Sequence, residues 1–210
     1  MRRAALLLGG TALLALAWSG VPAALSPGPF TAHMVRHMAV VAVAAPLLTL
    51  AVAGSPIDPA RRWDLARAAV PASLVELVVV WAWHAPALHH LAQHGAAARA
   101  VEQASFLAAG LLVWVTCLGH GGGTRRQAAA GVLGLLLTSV HMTLLGALLA
   151  LTPRALYHPG GGAAAQDDQA LGGVVMLLAG GSAYLVGGLV LAARLLSGGR
   201  DEPTPAGGKG

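Results

Sequence analysis

The sequence predicts an all-α, polytopic membrane protein with about six transmembrane helices. The chain has 210 residues, of which 56% are hydrophobic and 10% are charged. A water-soluble core of this size cannot hide so much apolar surface. With two Phe and two Tyr among many Ala, Gly, Val and Leu, the composition indicates closely packed small-residue helices. It does not fit the short alternating strands of an outer-membrane barrel.

The first apolar run covers residues 4–25 and follows Arg2 and Arg3. It fits either a first spanning helix or a signal peptide with an Arg-rich start. Its length favours the helix, because the uncharged run is longer than the usual apolar core of a signal peptide. Pro22 and the small residues around it keep cleavage open as the alternative. Residues 26–29 then form a turn rich in proline.

Five further apolar runs predict spans two to six, at residues 31–53, 71–86, 100–118, 127–151 and 171–196. Pro46 predicts a kink in the second span, because proline removes a helical hydrogen bond. Residues 153–168 are predicted to be a long polar connection. The sequence therefore indicates a single transmembrane domain over residues 1–196 and a disordered Gly- and Pro-rich tail over residues 197–210.

The distribution of basic residues predicts the orientation of the bundle. There are 13 Lys and Arg against 8 Asp and Glu, but the cations lie in short loops between apolar runs, which indicates topology rather than nucleic-acid binding. A cytoplasmic N-terminus leaves Arg36, Arg99 and Arg154 outside and places all the other cations inside. The positive-inside rule therefore predicts that both termini are cytoplasmic.

A pair of histidines marks the start of the second span. His33 and His37 lie one turn apart on one helix face, and Met34 and Met38 form a second pair beside them. Imidazole and thioether are soft-to-borderline ligands that suit copper or haem iron. Alternatively, the histidines contact lipid headgroups and the methionines fill an apolar interface.

Other histidines are predicted at a similar depth on the outer side. His37 lies about 9 Å inside the second span, and His141 lies about 15 Å from the end of the fifth, at 1.5 Å per residue. With His84 at the end of the third span, a layer of imidazoles in the outer half of the bilayer is geometrically allowed. An imidazole in hydrocarbon needs a partner, so His141 is a site candidate, with an interhelical hydrogen bond as the alternative.

The remaining histidines are predicted to matter less. His89, His90 and His94 fall in a connection on the outer side, as solvated loop residues or weak auxiliary metal ligands. His120 falls on the inner side. We expect alanine at His33 or His37 to remove bound copper, and substitution of His89 or His120 to do little.

Three further features have simple structural interpretations. Glu76, within an apolar run, either pairs with a loop arginine, snorkels to the surface or relays protons. Cys117 has no C-x-x-C partner and is predicted to be a core residue. Asp167 and Asp168 precede the sixth span and are predicted to cap its N-terminus.

Several short motifs occur together in a definite order: His33-Met34-x-x-His37 in a helix with Pro46, Trp83-His84-x-Pro86, Glu102 with Phe106, Leu156-Tyr157, and Asp168-Gln169-x-x-Gly172-Gly173-x-x-Met176. With these motifs the chain resembles the CtaG family of bacterial cytochrome c oxidase assembly proteins over most of residues 28–196. It departs from that family at Arg99 and Gln103, where the family carries a second His-x-x-x-His pair. A second departure is Leu177, where the family usually has Trp.

The resemblance implies a non-enzymatic factor in the bacterial inner membrane that helps to mature a haem-copper oxidase by delivering or inserting copper. Its implied partners are oxidase subunits, membrane lipid and a periplasmic copper donor. Soft ligands on the outer side fit metal that arrives from the periplasm. The predicted metal ligands are His33, Met34, His37, His84 and His141.

Two other function classes stay open at this point. A membrane cytochrome would use His37, His84 and His141 as axial ligands of haem b, and a Soret band would reveal it. The sequence has no C-x-x-C-H site for covalent haem. A proton-coupled transporter would use Glu76 and His141, although matching broken helices in two halves of the chain are not evident.

Overall fold

A computed structural model of the chain describes residues 1–119, 125–158 and 160–197. The described residues form helices α1 Arg2–Ala17, α2 Val21–Leu25, α3 Pro29–Met38, α4 Ala45–Val52, α5 Ala69–Trp83, α6 Pro86–His94, α7 Ala96–Leu118, α8 Arg125–Leu151 and α9 Gly162–Ser197. A π-helical turn, Ala39–Ala44, joins α3 to α4, and the 3₁₀ turns Pro59–Arg61 and Leu65–Ala68 precede α5. The predicted all-α polytopic bundle is confirmed. The predictions for His120 and for the tail beyond Ser197 lie outside the described residues.

Five helical segments of the described chain are long and apolar enough to cross a membrane: Pro29–Val52, Leu65–Trp83, Ala96–Leu118, Arg125–Leu151 and Gly162–Ser197. The first predicted span instead forms two helices. The break falls at Ser19 and Gly20, where the Val21 N–H donates to the Ser19 hydroxyl at 3.1 Å rather than continuing the helical ladder. Helix α1 has 16 residues, about 24 Å at 1.5 Å per residue, and it packs against α4 and the π turn.

Pro46 explains the π turn. The Ala45 N–H donates to the carbonyl of Val40, five residues back, and Pro46 has no N–H to offer the next carbonyl, that of Val41. This freed carbonyl accepts a hydrogen bond from Trp114 Nε1 at 2.9 Å. The disturbance predicted at Pro46 is therefore a π turn, and α7 supplies the missing donor.

Helix α9 begins at Gly162 rather than at residue 171. The segment predicted as a polar connection contains alanines 163–165, which favour helix strongly. Asp167 and Asp168 consequently lie inside α9, and the prediction that they cap this helix is wrong. Asp168 caps α3 instead, as described below.

Helices α8 and α9 pack with their backbones in close contact. A methyl group on Gly173 would lie 2.5 Å from the Ala150 nitrogen and 2.7 Å from the Gly146 oxygen, so only glycine fits there. This close approach of α8 and α9 at Gly173 is an instance of the predicted packing through small residues. Cys117 is buried in the core, also as predicted. At one end of the bundle, the starts of α3, α7 and α9 meet the ends of α5 and α8, and the candidate site lies there.

Candidate metal centre

The first turn of α3 is held by a residue of α9. Pro29 at the start of α3 has no N–H and therefore needs no hydrogen-bond acceptor. The N–H groups of Phe30 and Thr31 donate to the two Asp168 carboxylate oxygens, each at 2.9 Å. A methyl group on Gly28 would lie 2.3 Å from Asp168 Cγ, so glycine allows this close approach. The cap fixes the turn that immediately precedes His33.

Histidines 33, 37, 84 and 89, here called the histidine cluster, are brought together at this end of the bundle. His33 and His37 are 0% exposed, and their ring centroids lie 6.4 Å apart. The ring centroid of His84 lies 5.3 Å from that of His33 and 5.4 Å from that of His37. Membrane depth in the sequence placed His37 and His84 in one layer with His141, and the structure brings the first two together with His33.

His84 follows α5 directly, where Ala85 is extended and Pro86 stops the helix. Its Nδ1 lies 2.6 Å from the Val80 carbonyl oxygen. Because a carbonyl only accepts, Nδ1 of neutral His84 bears the hydrogen and Nε2 keeps the free lone pair. Burial lowers the pKa of His84 to about 4, so at pH 7 the ring is in the neutral form that binds metals.

The solvated-loop prediction for His89 is wrong. Residues 86–94 form helix α6, with Pro86 at its first position, and the face with His89 and Ala92 turns inward. His89 is 3% exposed, and its ring meets the His33 ring edge-on at a centroid distance of 4.8 Å. Burial lowers its pKa to about 4. Pro86 was the sequence signal for the start of this helix, but the sequence does not mark the inward face, because Leu88 and Leu91 are exposed.

His90 and His94 lie on the outward side of α6. Both are exposed, and their rings stack on each other at a centroid distance of 4.1 Å. They do not take the place of the missing second histidine pair in the cluster. The predicted solvated character holds for these two residues.

Helix α7 brings a carboxylate to the cluster. Glu102 is 1% exposed, and its Oε1 lies 3.8 Å from His33 Nδ1. Its Oε2 accepts a hydrogen bond from Gln103 Nε2 at 3.1 Å, and Gln103 in turn accepts from Trp18 Nε1 at 3.1 Å. Gln103, which stands where the family carries a histidine, thus orients Glu102. An acid inside a predicted span was the sequence signal for this residue.

Arg99, the other residue that stands in place of the family's second histidine pair, also has a structural role. Its guanidinium donates to the carbonyls of Ala92 and Gln93, at 3.2 Å from Nε and 2.7 Å from Nη2. These carbonyls belong to the last turn of α6, where a cation is favourable. Arg99 therefore holds α6, and with it His89, against α7.

The two remaining predicted ligands, His141 and Met34, are buried. His141 of α8 is buried in the bundle interior. Met34 faces α9, where a methyl group on Gly172 would lie 3.1 Å from Met34 Cγ. The ligand roles of His141 and Met34 stay predictions.

Most nitrogens of these imidazoles have no hydrogen-bond partner among the described residues. This holds for both ring nitrogens of His33, His37 and His141, for Nε2 of His84 and for Nδ1 of His89. Buried polar groups are nearly always paired, because an unpaired one costs free energy. So many free lone pairs in one place are the arrangement expected of a ligand site.

A loop between α8 and α9 covers the cluster. The Tyr157 hydroxyl donates to the His84 carbonyl at 2.7 Å. The Tyr157 ring stacks on Phe30 at a centroid distance of 4.2 Å and lies 4.5 Å from the His89 ring. Tyr157 therefore separates the imidazoles from the surface.

Gln169 of α9 holds this loop in place. Its Oε1 accepts from the Leu156 N–H at 2.7 Å, and its Nε2 donates to the carbonyls of Leu149 and Arg154 at 3.3 and 3.1 Å. The motifs that carry the resemblance thus converge on one place: they supply the histidines, their helix cap and their cover.

A second buried polar group, here called the Glu76 network, comprises Glu76, Tyr184, Trp114, Ser73 and Thr138. Glu76 does not pair with a loop arginine, because Tyr184 donates to its Oε1 at 2.6 Å. Trp114 stacks on Tyr184 at a centroid distance of 5.0 Å, and Thr138 donates to Ser73 at 2.8 Å. None of the described contacts of this network involves a histidine of the cluster.

The fold and the site define a class: an all-α membrane protein with a covered group of buried imidazoles at one end of its bundle. Residues 1–197 match the family described as cytochrome c oxidase caa3 assembly factor (Caa3_CtaG). The chain belongs to this family of assembly factors. Membership implies association with cytochrome c oxidase. No curated protein and no solved structure matches the chain.

Proposed function

We propose that this assembly factor binds copper at His33, His37 and His84 of the histidine cluster and hands it over to cytochrome c oxidase. The supporting observation is the set of buried imidazole nitrogens that lack hydrogen-bond partners within the described part of the chain. Neutral imidazoles suit copper ions. Copper is here the cargo of the protein, and the role is non-enzymatic.

Two of the three ring spacings fit a single ion. A tetrahedral ion about 2.0–2.1 Å from each ligating nitrogen holds the ring centroids roughly 5 Å apart. The His33–His84 and His37–His84 centroid distances, 5.3 and 5.4 Å, are close to this value, and the His33–His37 distance of 6.4 Å must shorten by about 1 Å. His33, His37 and His84 are the primary ligands in this proposal, with His141 and Met34 as neighbouring donors.

The charge distribution supports delivery from outside the cytoplasm. Basic side chains gather at the opposite end of the bundle, where Arg3 donates to the Ala53 carbonyl at 3.1 Å and Arg126 pairs with Asp64 at 3.3 Å. By the positive-inside rule that end is cytoplasmic. The cluster then lies in the outer half of the inner membrane, within reach of a periplasmic copper donor, and both termini are cytoplasmic.

The alternative functions have less support. A haem macrocycle must pass between two ligands, whereas the rings of the cluster contact one another and Phe106, whose centroid lies 4.0 Å from that of His37. A transporter that couples Glu76 to His141 would need to connect two separate polar groups. Absorbance checks the haem alternative: we expect the purified protein to show no Soret band.

The proposal is tested in a deletion strain scored for cytochrome c oxidase activity with and without added copper. The unsubstituted chain should restore activity without added copper. His37→Ala should fail to do so, and His90→Ala, a matched change at an exposed histidine, should succeed. Oxidase activity that is unchanged by the deletion in both conditions, or full rescue by His37→Ala, contradicts the proposed role.

A further inference from the structure

Glu102 is a buried carboxylate that has no role in the all-imidazole copper site. Its Oε1 has no hydrogen-bond partner among the described residues, and its ion-pair contact within them is with His33. The nearby cations Arg36 and Arg99 are engaged elsewhere, with the carbonyls of Ala17 and of the end of α6. A buried charge without a close counter-ion is costly, so this position favours a cation.

The donors around Glu102 are already close to a metal-binding arrangement. His33, His89 and Glu102 each offer one ligand atom, and these atoms all lie within 4.8 Å of one another. Ligands about 2.1 Å from a tetrahedral ion are roughly 3.4 Å apart. Binding therefore requires a contraction of at most about 1.5 Å, which side-chain rotations can supply.

We propose that His33, His89 and Glu102 form a second metal position, specific for a divalent cation and separate from the all-imidazole position at His33, His37 and His84. Two imidazoles and one carboxylate are a donor set typical of zinc and related divalent ions, with a fourth coordination place left open. The carboxylate also neutralises part of the charge of the ion.

The second position lies nearer the end of the bundle than the first. His37 is one turn further along α3 than His33, about 6 Å deeper, whereas His89 belongs to α6, which follows the third span. Because the two positions share His33, they are occupied alternately. The inference rests on the proposed copper role, because the first position is the copper site proposed above.

Two probe ions distinguish the positions in the detergent-purified full-length chain. Co²⁺ reports the second position through its visible d–d bands, and Cu⁺, measured by competition with a chromophoric chelator, reports the all-imidazole position. The informative variants are Glu102→Gln, which keeps the size and removes the charge, and His89→Gln. His90→Gln is the matched control, because this neighbour is exposed. The melting temperature of each variant shows whether it is folded.

We expect Glu102→Gln and His89→Gln to weaken Co²⁺ binding more than about tenfold and to leave Cu⁺ affinity nearly unchanged. His37→Gln should do the reverse, His33→Gln should weaken both, and His90→Gln should weaken neither. If a folded Glu102→Gln or His89→Gln variant binds Co²⁺ normally, or loses both ions together, the second position is wrong. If His33→Gln and His37→Gln keep full Cu⁺ affinity, the proposed copper role fails instead.

Discussion

Two groups of buried polar side chains share the interior of this bundle, and they differ in how their hydrogen bonds are satisfied. In the Glu76 network, hydroxyl and indole donors find acceptors on neighbouring helices, and even the Val41 carbonyl freed by Pro46 is bound by Trp114. Glu76 Oε2 is the exception. In the histidine cluster, most ring nitrogens have no partner among the described residues.

The difference indicates two kinds of role. A satisfied network contributes to the stability of the fold, because removal of one partner leaves the other unpaired in an apolar surrounding. An unsatisfied group of ligand atoms costs stability and is retained for what it binds. Substitutions in the first group should therefore lower stability, and substitutions in the second should lower metal affinity.

The largest effect on stability is expected for Tyr184→Phe. The change removes the donor to Glu76 Oε1 and leaves a buried carboxyl oxygen without a partner. Interhelical hydrogen bonds in membranes contribute at most about 2 kcal/mol, so we expect a loss of about 1–2 kcal/mol. A thermal or denaturant unfolding measurement of the metal-free protein checks the value, and copper affinity should stay within about twofold.

Ser182→Ala is the control on the same helix. Its hydroxyl donates to the Leu178 carbonyl of its own helix and is exposed, so its loss should leave stability nearly unchanged. Equal stability of the Tyr184→Phe and unsubstituted proteins would show that the Glu76 network does not stabilise the fold.

The second largest effect is expected for Asp168→Asn. The asparagine has one acceptor oxygen for the two N–H groups that Asp168 now binds, and it lacks the charge that favours a helix N-terminus. Loss of a cap costs about 1 kcal/mol. Because this turn positions His33, copper affinity should fall as well, unlike in Tyr184→Phe.

The neighbouring Asp167→Asn is the control for charge alone, because Asp167 is exposed on the same helix. Both stability and copper affinity should be unchanged in that variant. If the two variants behave alike, the contact between Asp168 and α3 is not what holds His33.

Asp168 shows the limit of what could be predicted from the sequence. Apolar runs predicted the all-α bundle, helical spacing paired His33 with His37, and membrane depth placed His37 in one layer with His84 and His141. A cap between residues 30 and 168 joins distant parts of the chain, which no local pattern describes. His89 was misplaced for a related reason: the burial of α6 depends on its packing against α7 rather than on its own polar composition.

A smaller effect is expected for Tyr157→Phe, which keeps the stacked ring and removes the hydrogen bond to the His84 carbonyl. We expect a loss of about 0.5–1 kcal/mol and release of bound copper to a chelator up to roughly fivefold faster. Ser105→Ala removes a comparable bond from Trp83 Nε1 at the same end of the bundle without touching the cover. Unchanged release in Tyr157→Phe, or equal acceleration in Ser105→Ala, would contradict the covering role.

The most direct test compares copper affinity and metal-free melting temperature in His37→Leu, a change of similar size that removes both ring nitrogens. These nitrogens have no hydrogen-bond partner among the described residues, so copper affinity should fall by more than about tenfold. The melting temperature of the metal-free protein should be equal to or higher than that of the unsubstituted chain. Full copper affinity in this variant, or a fall in melting temperature as large as that of Tyr184→Phe, would contradict the assignment of the histidine cluster to metal binding.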